Sequence, residues 1–222
     1  MEISTSVLSV EKDKATKTFY DLEVAGTNYF HIDVMDGEFV RNDTSELMKE
    51  YATIIKHISN LPLDVHLMVR DVDKYINEYM SLKPNIITVH YESFGDTIDG
   101  IAKLLNAINL IKRNNIKVGI AIKPYTPLDK ILELIPFVHL VLIMTVEPGE
   151  GGQELIIETL QKVKDLKEYI KNNNLEIDIE VDGGINKDNA KYAKLAGADI
   201  LVAGTAIISS NNFAETIGKI GH

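Results

Sequence analysis

Short runs rich in Val, Ile and Leu alternate along the whole chain with longer stretches whose apolar residues recur every three or four positions. The short runs predict strands at Ile3–Val10, Tyr29–Val34, Leu63–Leu67, Ile86–His90, Lys117–Ile122, Val138–Met144, Ile177–Val181 and Ile200–Ala203. Several are continuously apolar, as parallel strands are when helices cover one face and a core the other. The longer stretches predict helices at Lys12–Ala25, Ser45–Ile58, Ile98–Lys112 and Gln153–Asn172. Shorter helical patterns lie at Asp71–Met80, Leu128–Leu134, Asn186–Leu195 and Phe213–Ile220, and Gly26 and Gly197 stand where C-terminal caps are expected. Eight strand–helix units in 222 residues predict an α/β fold, a single (β/α)8 TIM barrel over residues 1–222. The competing architecture is an open doubly wound sheet. The first strand runs into Leu8-Ser9-Val10-Glu11 with no Gly-x-Gly-x-x-Gly turn, which argues against that alternative.

Composition narrows the function. There is no cysteine, so disulfides and thiolate metal sites are excluded. No apolar run has the length of a membrane span, and the N-terminus shows no signal-peptide pattern, which suits a cytoplasmic protein. A net charge of −10 disfavours nucleic acid as a partner. It also means that a bound phosphate would need a local, specific cradle.

In a barrel of this kind, chemistry sits at the C-terminal ends of the strands. Three predicted strands end in metal-competent residues: His31-Ile32-Asp33, Asp64-Val65-His66 and Glu180-Val181-Asp182. Alternation points His31 and Asp33 to one side and Ile32 and Val34 to the helices. Two histidines and two aspartates converging there suit Zn, Mn or Fe better than Ca or Mg. Taken singly, His66 reads as a hydrogen-bonded structural histidine and Asp182 as a helix cap; their common position is what favours a metal. Three glycine clusters follow strands six, seven and eight: Gly149-Glu150-Gly151-Gly152, Gly183-Gly184 and Gly204-Thr205. Any one of them suffices for a turn, but three on one rim point to a phosphate cradle built from backbone N–H groups. Met35, Met68 and Met144 stand beside the proposed ligands as an apolar lining. His90 ends strand four and is placed behind the proposed ligands, without a firm role.

These segments resemble the ribulose-phosphate 3-epimerase family. The matching stretches are Ser6-Val7-Leu8-Ser9, His31 through Val40, Leu63 through Met68, Ile86 through His90, Pro148 through Gln153, Glu180 through Ile185, and Val202 through Thr205. The resemblance implies one divalent metal ion (Zn, Fe, Mn or Co) held by His31, Asp33, His66 and Asp182, with Asp33 and Asp182 exchanging roles as acid and base. It implies that Ser6 and His66 contact substrate and that the glycine loops bind its phosphate. It further implies D-ribulose 5-phosphate to D-xylulose 5-phosphate interconversion in the pentose phosphate pathway, and it suggests a homo-oligomer. D-Allulose-6-phosphate 3-epimerisation by the same machinery is the alternative. The chemistry is coherent: inverting C3 beside a carbonyl needs two proton carriers flanking a planar enediolate.

The chain departs from the family pattern at Arg41, Lys123, Glu147 and Glu150, all on predicted rim loops. The Asp-x-Lys-x-x-Asp signature of related decarboxylases and aldolases does not occur.

Overall fold

A computed structural model describes residues 1–222. Eight parallel strands close into a barrel in sequence order, β1 to β8, with β8 pairing back onto β1. They are β1 (Glu2–Ser6), β2 (Tyr29–Met35), β3 (Leu63–Met68), β4 (Ile86–His90), β5 (Lys117–Ile122), β6 (Leu140–Met144), β7 (Asp178–Asp182) and β8 (Ile200–Ala203). The helices are α1 (Ala15–Val24), α2 (Ser45–Ile58), α3 (Val72–Met80), α4 (Ile98–Arg113), α5 (Leu160–Asn172), α6 (Ala190–Ala196), α7 (Thr205–Ile208) and α8 (Phe213–Gly221).

The TIM barrel expected from the periodicity is what forms, with differences at element ends. β1 stops at Ser6, because Val10 N–H turns back onto the Val7 carbonyl. The expected helix at Leu128–Leu134 is absent; Leu128–Lys130 and Ile135–Phe137 are single 3-10 turns instead. Pro127 and Pro136 bracket that stretch and leave too little chain for a helix to propagate. The ammonium of Lys162 on α5 ties the front of this connection down, donating to the carbonyls of Lys123, Pro124 and Thr126 at 3.1, 2.6 and 2.5 Å. The helix predicted from Gln153 begins only at Leu160. Residues 153–155 lie instead against Gly184, where a Cβ would come within 2.5 Å of Leu155 N. Gly184 has φ +67°, so this close approach needs glycine twice over.

Alternation along the strands sorts the core into two environments. Outward residues such as Ile32, Val34, Val65, Leu67, Val141 and Val181 join one large cluster with the helices. Inward residues divide by sector. β4–β6 and β8 contribute an apolar patch of Ile86, Ala121, Leu140, Leu142, Met144 and Ile200. β1, β2, β3 and β7 instead point Ser4, Ser6, His31, Asp33, Asp64, His66, Glu180 and Asp182 inward, and most of these are buried. Half of the barrel interior is therefore a packed core and half is a polar cluster.

Phe19 of α1 anchors the polar half from outside. Its ring packs edge-on against Phe30 of β2 at 6.0 Å and Tyr51 of α2 at 5.2 Å, and all three are fully buried. The Phe19→Ala substitution should cost about 3–5 kcal/mol, as truncation of a buried aromatic does. Urea unfolding of the two proteins measures it; a loss below about 1 kcal/mol would show that the site strand does not depend on this contact.

Candidate active site

β2 and β3 pair in register, Asp33 opposite His66 and His31 opposite Asp64, so one rung lies directly above the other. The upper rung, completed by Asp182 at the end of β7, brings one ligand atom each of His31, Asp33, His66 and Asp182 within 4.8 Å of one another. His66 Nδ1 is 3.2 Å from Asp33 Oδ1 and 3.7 Å from Asp182 Oδ2. His31 Nε2 is 3.2 Å from Asp33 Oδ1 and 3.9 Å from Asp182 Oδ2. The four residues singled out from three separate strand ends thus form one cluster.

The lower rung supports the upper one. His31 Nδ1 meets Asp64 Oδ2 at 2.6 Å, and Ser4 donates to the same oxygen at 2.8 Å. A carboxylate holding the far nitrogen of a ligand histidine is the usual outer support of a metal site. Ser6 Oγ donates to Asp33 Oδ2 at 2.6 Å, leaving Oδ1 for the cluster. On the other side, His66 Nε2 contacts His90 Nε2 at 2.9 Å, and His90 Nδ1 contacts Glu92 Oε2 at 3.0 Å.

His31 Nε2 is buried and has no hydrogen-bond partner, although it faces two carboxylates. An orphaned ring nitrogen among carboxylate oxygens is what a bound cation satisfies, so the residues present fit a divalent metal. The mixed imidazole–carboxylate donor set does not choose among Zn, Fe, Mn and Co.

The electrostatics separate the two aspartates. Burial opposes the charge of Asp33, but the charge and hydrogen bond of the His31 ring outweigh it and hold that carboxyl well below the usual carboxylate range. Asp182 is pushed up to about 7, by burial first and then by the negative charge of Asp33. One carboxylate is therefore ionised while its neighbour exchanges a proton near neutrality, the pattern of an acid–base pair. Below them, burial and the Asp64 charge push Glu180 well above its ordinary value, so it is neutral. Burial would lower His31, yet Asp64 and Asp33 raise it well above an ordinary histidine. Burial lowers both His66 and His90, the latter to about 4, and keeps these rings neutral.

Above the cluster lies a cavity of about 260 Å³. Its wall includes Ser6, Asp33, Asp182, Met35, Met68 and Met144, together with Gly149, Glu150, Gly151, Gly152, Gly183, Gly184, Gly204 and Thr205. His31 and His66 are buried beneath that wall, against Asp33 and Asp182, which line it. Of the four departures from the family pattern, only Glu150 reaches the cavity wall; it is exposed and forms no ion pair. Arg41 and Glu147 are exposed outside it, and Lys123 stacks its ammonium 4.6 Å from the centre of the Phe39 ring. Phe39 in turn packs on His90, ring centres 5.0 Å apart.

A profile described as the ribulose-phosphate 3 epimerase family matches residues 2–208. The chain belongs to the ribulose-phosphate 3-epimerase family. A relative from Bacillus subtilis (strain 168) named ribulose-phosphate 3-epimerase is 36% identical over 222 residues, which cover 99% of this chain and 98% of the relative. One of the same name from Methanocaldococcus jannaschii is 38% identical, covering 99% of this chain and 89% of the other. The protein is accordingly an isomerase. Among solved structures, 3-hexulose-6-phosphate synthase from Salmonella typhimurium superposes with a TM-score of 0.66 at 16% identity, covering 99% of this chain and 96% of that one. That likeness concerns the fold alone. No helix is long and apolar enough to cross a membrane.

Asp64 and Glu180 stand in the metal-competent strand ends but without a supporting role in the sequence reading, His90 is there only placed behind the ligands, and Glu92 is not singled out. The signal for the first two was present: each stands two residues before a ligand on the same strand, and period two places them on the same inward face. Nothing marked Glu92, which lies in a 3-10 turn after β4.

In metal-free protein, His31 and Glu180 keep protons that the unfolded chain gives up, and Asp182 keeps one up to about 7; together these outnumber the protons that burial removes from His66 and His90. From about pH 6.5 upward the folded state therefore binds more protons than the unfolded chain, and stability falls as pH rises. The Tm of chelator-treated protein is expected to fall between pH 6.5 and 8, and saturating divalent metal to shrink that fall. A metal-free Tm that is flat or rising over this range would contradict the assigned charges.

Proposed function

We propose that this protein interconverts D-ribulose 5-phosphate and D-xylulose 5-phosphate in the pentose phosphate pathway, with Asp33 and Asp182 as the proton carriers. The observation that carries the reading is the pair itself: two carboxylates, Asp33 at the end of β2 and Asp182 at the end of β7, face one cavity. Either can remove the C3 proton from its own face of the sugar while the other returns one from the opposite face. Microscopic reversibility then makes them exchange roles in the reverse direction. Proton loss beside the C2 carbonyl gives a planar enediolate, on which stereochemistry at C3 is lost.

His31, Asp33, His66 and Asp182 would hold one divalent metal, Zn, Fe, Mn or Co. Bound there, it supplies Lewis-acid stabilisation of the negative charge that develops on the sugar oxygens. Ser6 orients Asp33 through its 2.6 Å hydrogen bond and faces the substrate from the cavity wall. Met35, Met68 and Met144 exclude water from the reacting carbon. The phosphate is assigned to Gly183, Gly184, Gly204 and Thr205, with Gly149 to Gly152 closing over it. The rim is already tied together there: Asn42 donates to the Gly149 carbonyl at 2.7 Å. Neutral backbone donors answer the charge problem of an acidic protein binding a dianion. The same net charge argues against a nucleic-acid partner. Assembly as a homo-oligomer and a cytoplasmic location rest on the family resemblance.

Asp182→Asn and Asp33→Asn should each lower kcat by about 10²–10⁴-fold. Each should also slow the exchange of the C3 hydrogen with D2O, followed by NMR of the sugar phosphate. Unchanged exchange in either variant would remove that residue from the acid–base pair. The hexulose alternative shares all of this chemistry and differs only at the rim. Metal-loaded protein should prefer the pentulose phosphate, and a more than tenfold higher kcat/KM on D-allulose 6-phosphate would reverse the assignment.

A further inference from the structure

The contacts around His66 extend beyond the cluster in both directions. His66 Nδ1 is 3.2 Å from Asp33 Oδ1, the two Nε2 atoms of His66 and His90 are 2.9 Å apart, and His90 Nδ1 is 3.0 Å from Glu92 Oε2. The two ring planes are tilted 29° to one another, with centres 5.0 Å apart. Two carboxylates are thus joined through two imidazoles by three short contacts. Two neutral imidazoles carry only two ring protons, so one contact must go without.

Both end carboxylates only accept, so the proton is given up at the Asp33 end, where a bound metal would take its place; Glu92 has no such substitute. Glu92 Oε1 accepts from the Lys123 N–H at 2.7 Å and from the Thr126 hydroxyl, which turns Oε2 to His90. These bonds and the His90 contact outweigh burial and hold the Glu92 carboxyl down to about 2. An ionised carboxylate only accepts, so His90 carries its proton on Nδ1 and leaves Nε2 bare. That bare nitrogen must accept, so His66 carries its proton on Nε2. The nitrogen left without a proton is His66 Nδ1, the one facing Asp33 and Asp182.

We propose that His90 and Glu92 are positioning residues, which act through a directed hydrogen-bond chain to present His66 Nδ1 unprotonated to the metal position. Neither side chain lines the cavity. The inference rests on His66 being a metal ligand, as argued under the proposed function. A bare nitrogen set against a carboxylate is repulsive in the empty site, and a cation between them removes the repulsion. Glu92 belongs to the 3-10 turn Tyr91–Ser93, and its anchors Lys123 and Thr126 sit on the loop after β5. The conformation of that loop is thereby coupled to the tautomer of a metal ligand two side chains away.

Glu92→Gln tests the direction of the chain. The Lys123 N–H can only donate, so it takes the amide oxygen and turns the NH2 group toward His90 Nδ1. Two donors then meet, and relief requires the chain to reverse and place a proton on His66 Nδ1. Metal-free Glu92→Gln protein titrated with Co2+, followed by d–d absorption, should bind about 10–100-fold more weakly than wild type. In Zn2+-loaded wild type, 15N NMR should find His66 protonated at Nε2 and His90 at Nδ1, a measurement that needs no variant to fold. His90 protonated at Nε2 would overturn the proposal. So would a Glu92→Gln protein that binds Co2+ within twofold of wild type, even with a lowered Tm, since that marks a purely structural residue. Failure of the wild type to bind either metal would instead overturn the metal-site reading on which the proposal rests.

Discussion

Negative charge buried at one end of the barrel is the constraint to which the rest of the structure answers. Asp33, Asp64, Glu180 and Asp182 converge from three strands into a space that also holds His31 and His66. Removing a carboxylate from water costs several kcal/mol even after relaxation, and like charges side by side add to that cost. The protein meets it in layers. Glu180 gives up its charge, Asp64 and Asp33 face the protonated His31 and accept hydrogen bonds from serine hydroxyls, and Asp182 is left near the edge of ionisation. The arrangement still wants positive charge at its centre. Without metal, a proton on His31 partly supplies it; a divalent cation supplies it fully and releases that proton.

The same constraint explains the sector-wise interior. An apolar core filling the whole barrel would be simpler and more stable, and β4–β6 and β8 have one. The polar sector can be held in place because its strands are clamped from outside, by the Phe19–Phe30–Tyr51 contact on β2 and by the large cluster of outward Val, Ile and Leu residues. Pre-organisation of the carboxylates is thus provided by packing on the opposite face of the same strands. The Asp-x-Lys-x-x-Asp spacing, which would place a lysine on this inward face, does not occur in the chain.

Much of this was legible in the sequence because strand periodicity is rigid. His31-x-Asp33 faces inward if β2 is a strand at all, and the continuous apolar character of the neighbouring runs makes that secure. The glycine clusters were legible for a similar reason, since Gly184 occupies a backbone position and a gap that no other residue fits. Element ends and connections were less readable. The absent helix at Leu128–Leu134 has acceptable helical spacing, and only the flanking prolines and the Lys162 clamp decide against it. The supporting residues were the least legible. Asp64 and Glu180 share the inward face with ligands but have no supporting role in the sequence reading, whereas Glu92 gains its role from a turn that brings it beside His90 and the loop after β5, contacts that no local pattern encodes.

The central claim is that one divalent metal neutralises this buried charge at a site built from His31, Asp33, His66 and Asp182. Anomalous diffraction from crystals of the metal-loaded protein, collected at the absorption edge of that metal, tests it most directly. A single strong peak per chain is predicted, within bonding distance of His31 Nε2, His66 Nδ1 and an oxygen of each aspartate. No peak there, or a peak elsewhere on the barrel with these four residues still in mutual contact, would contradict it.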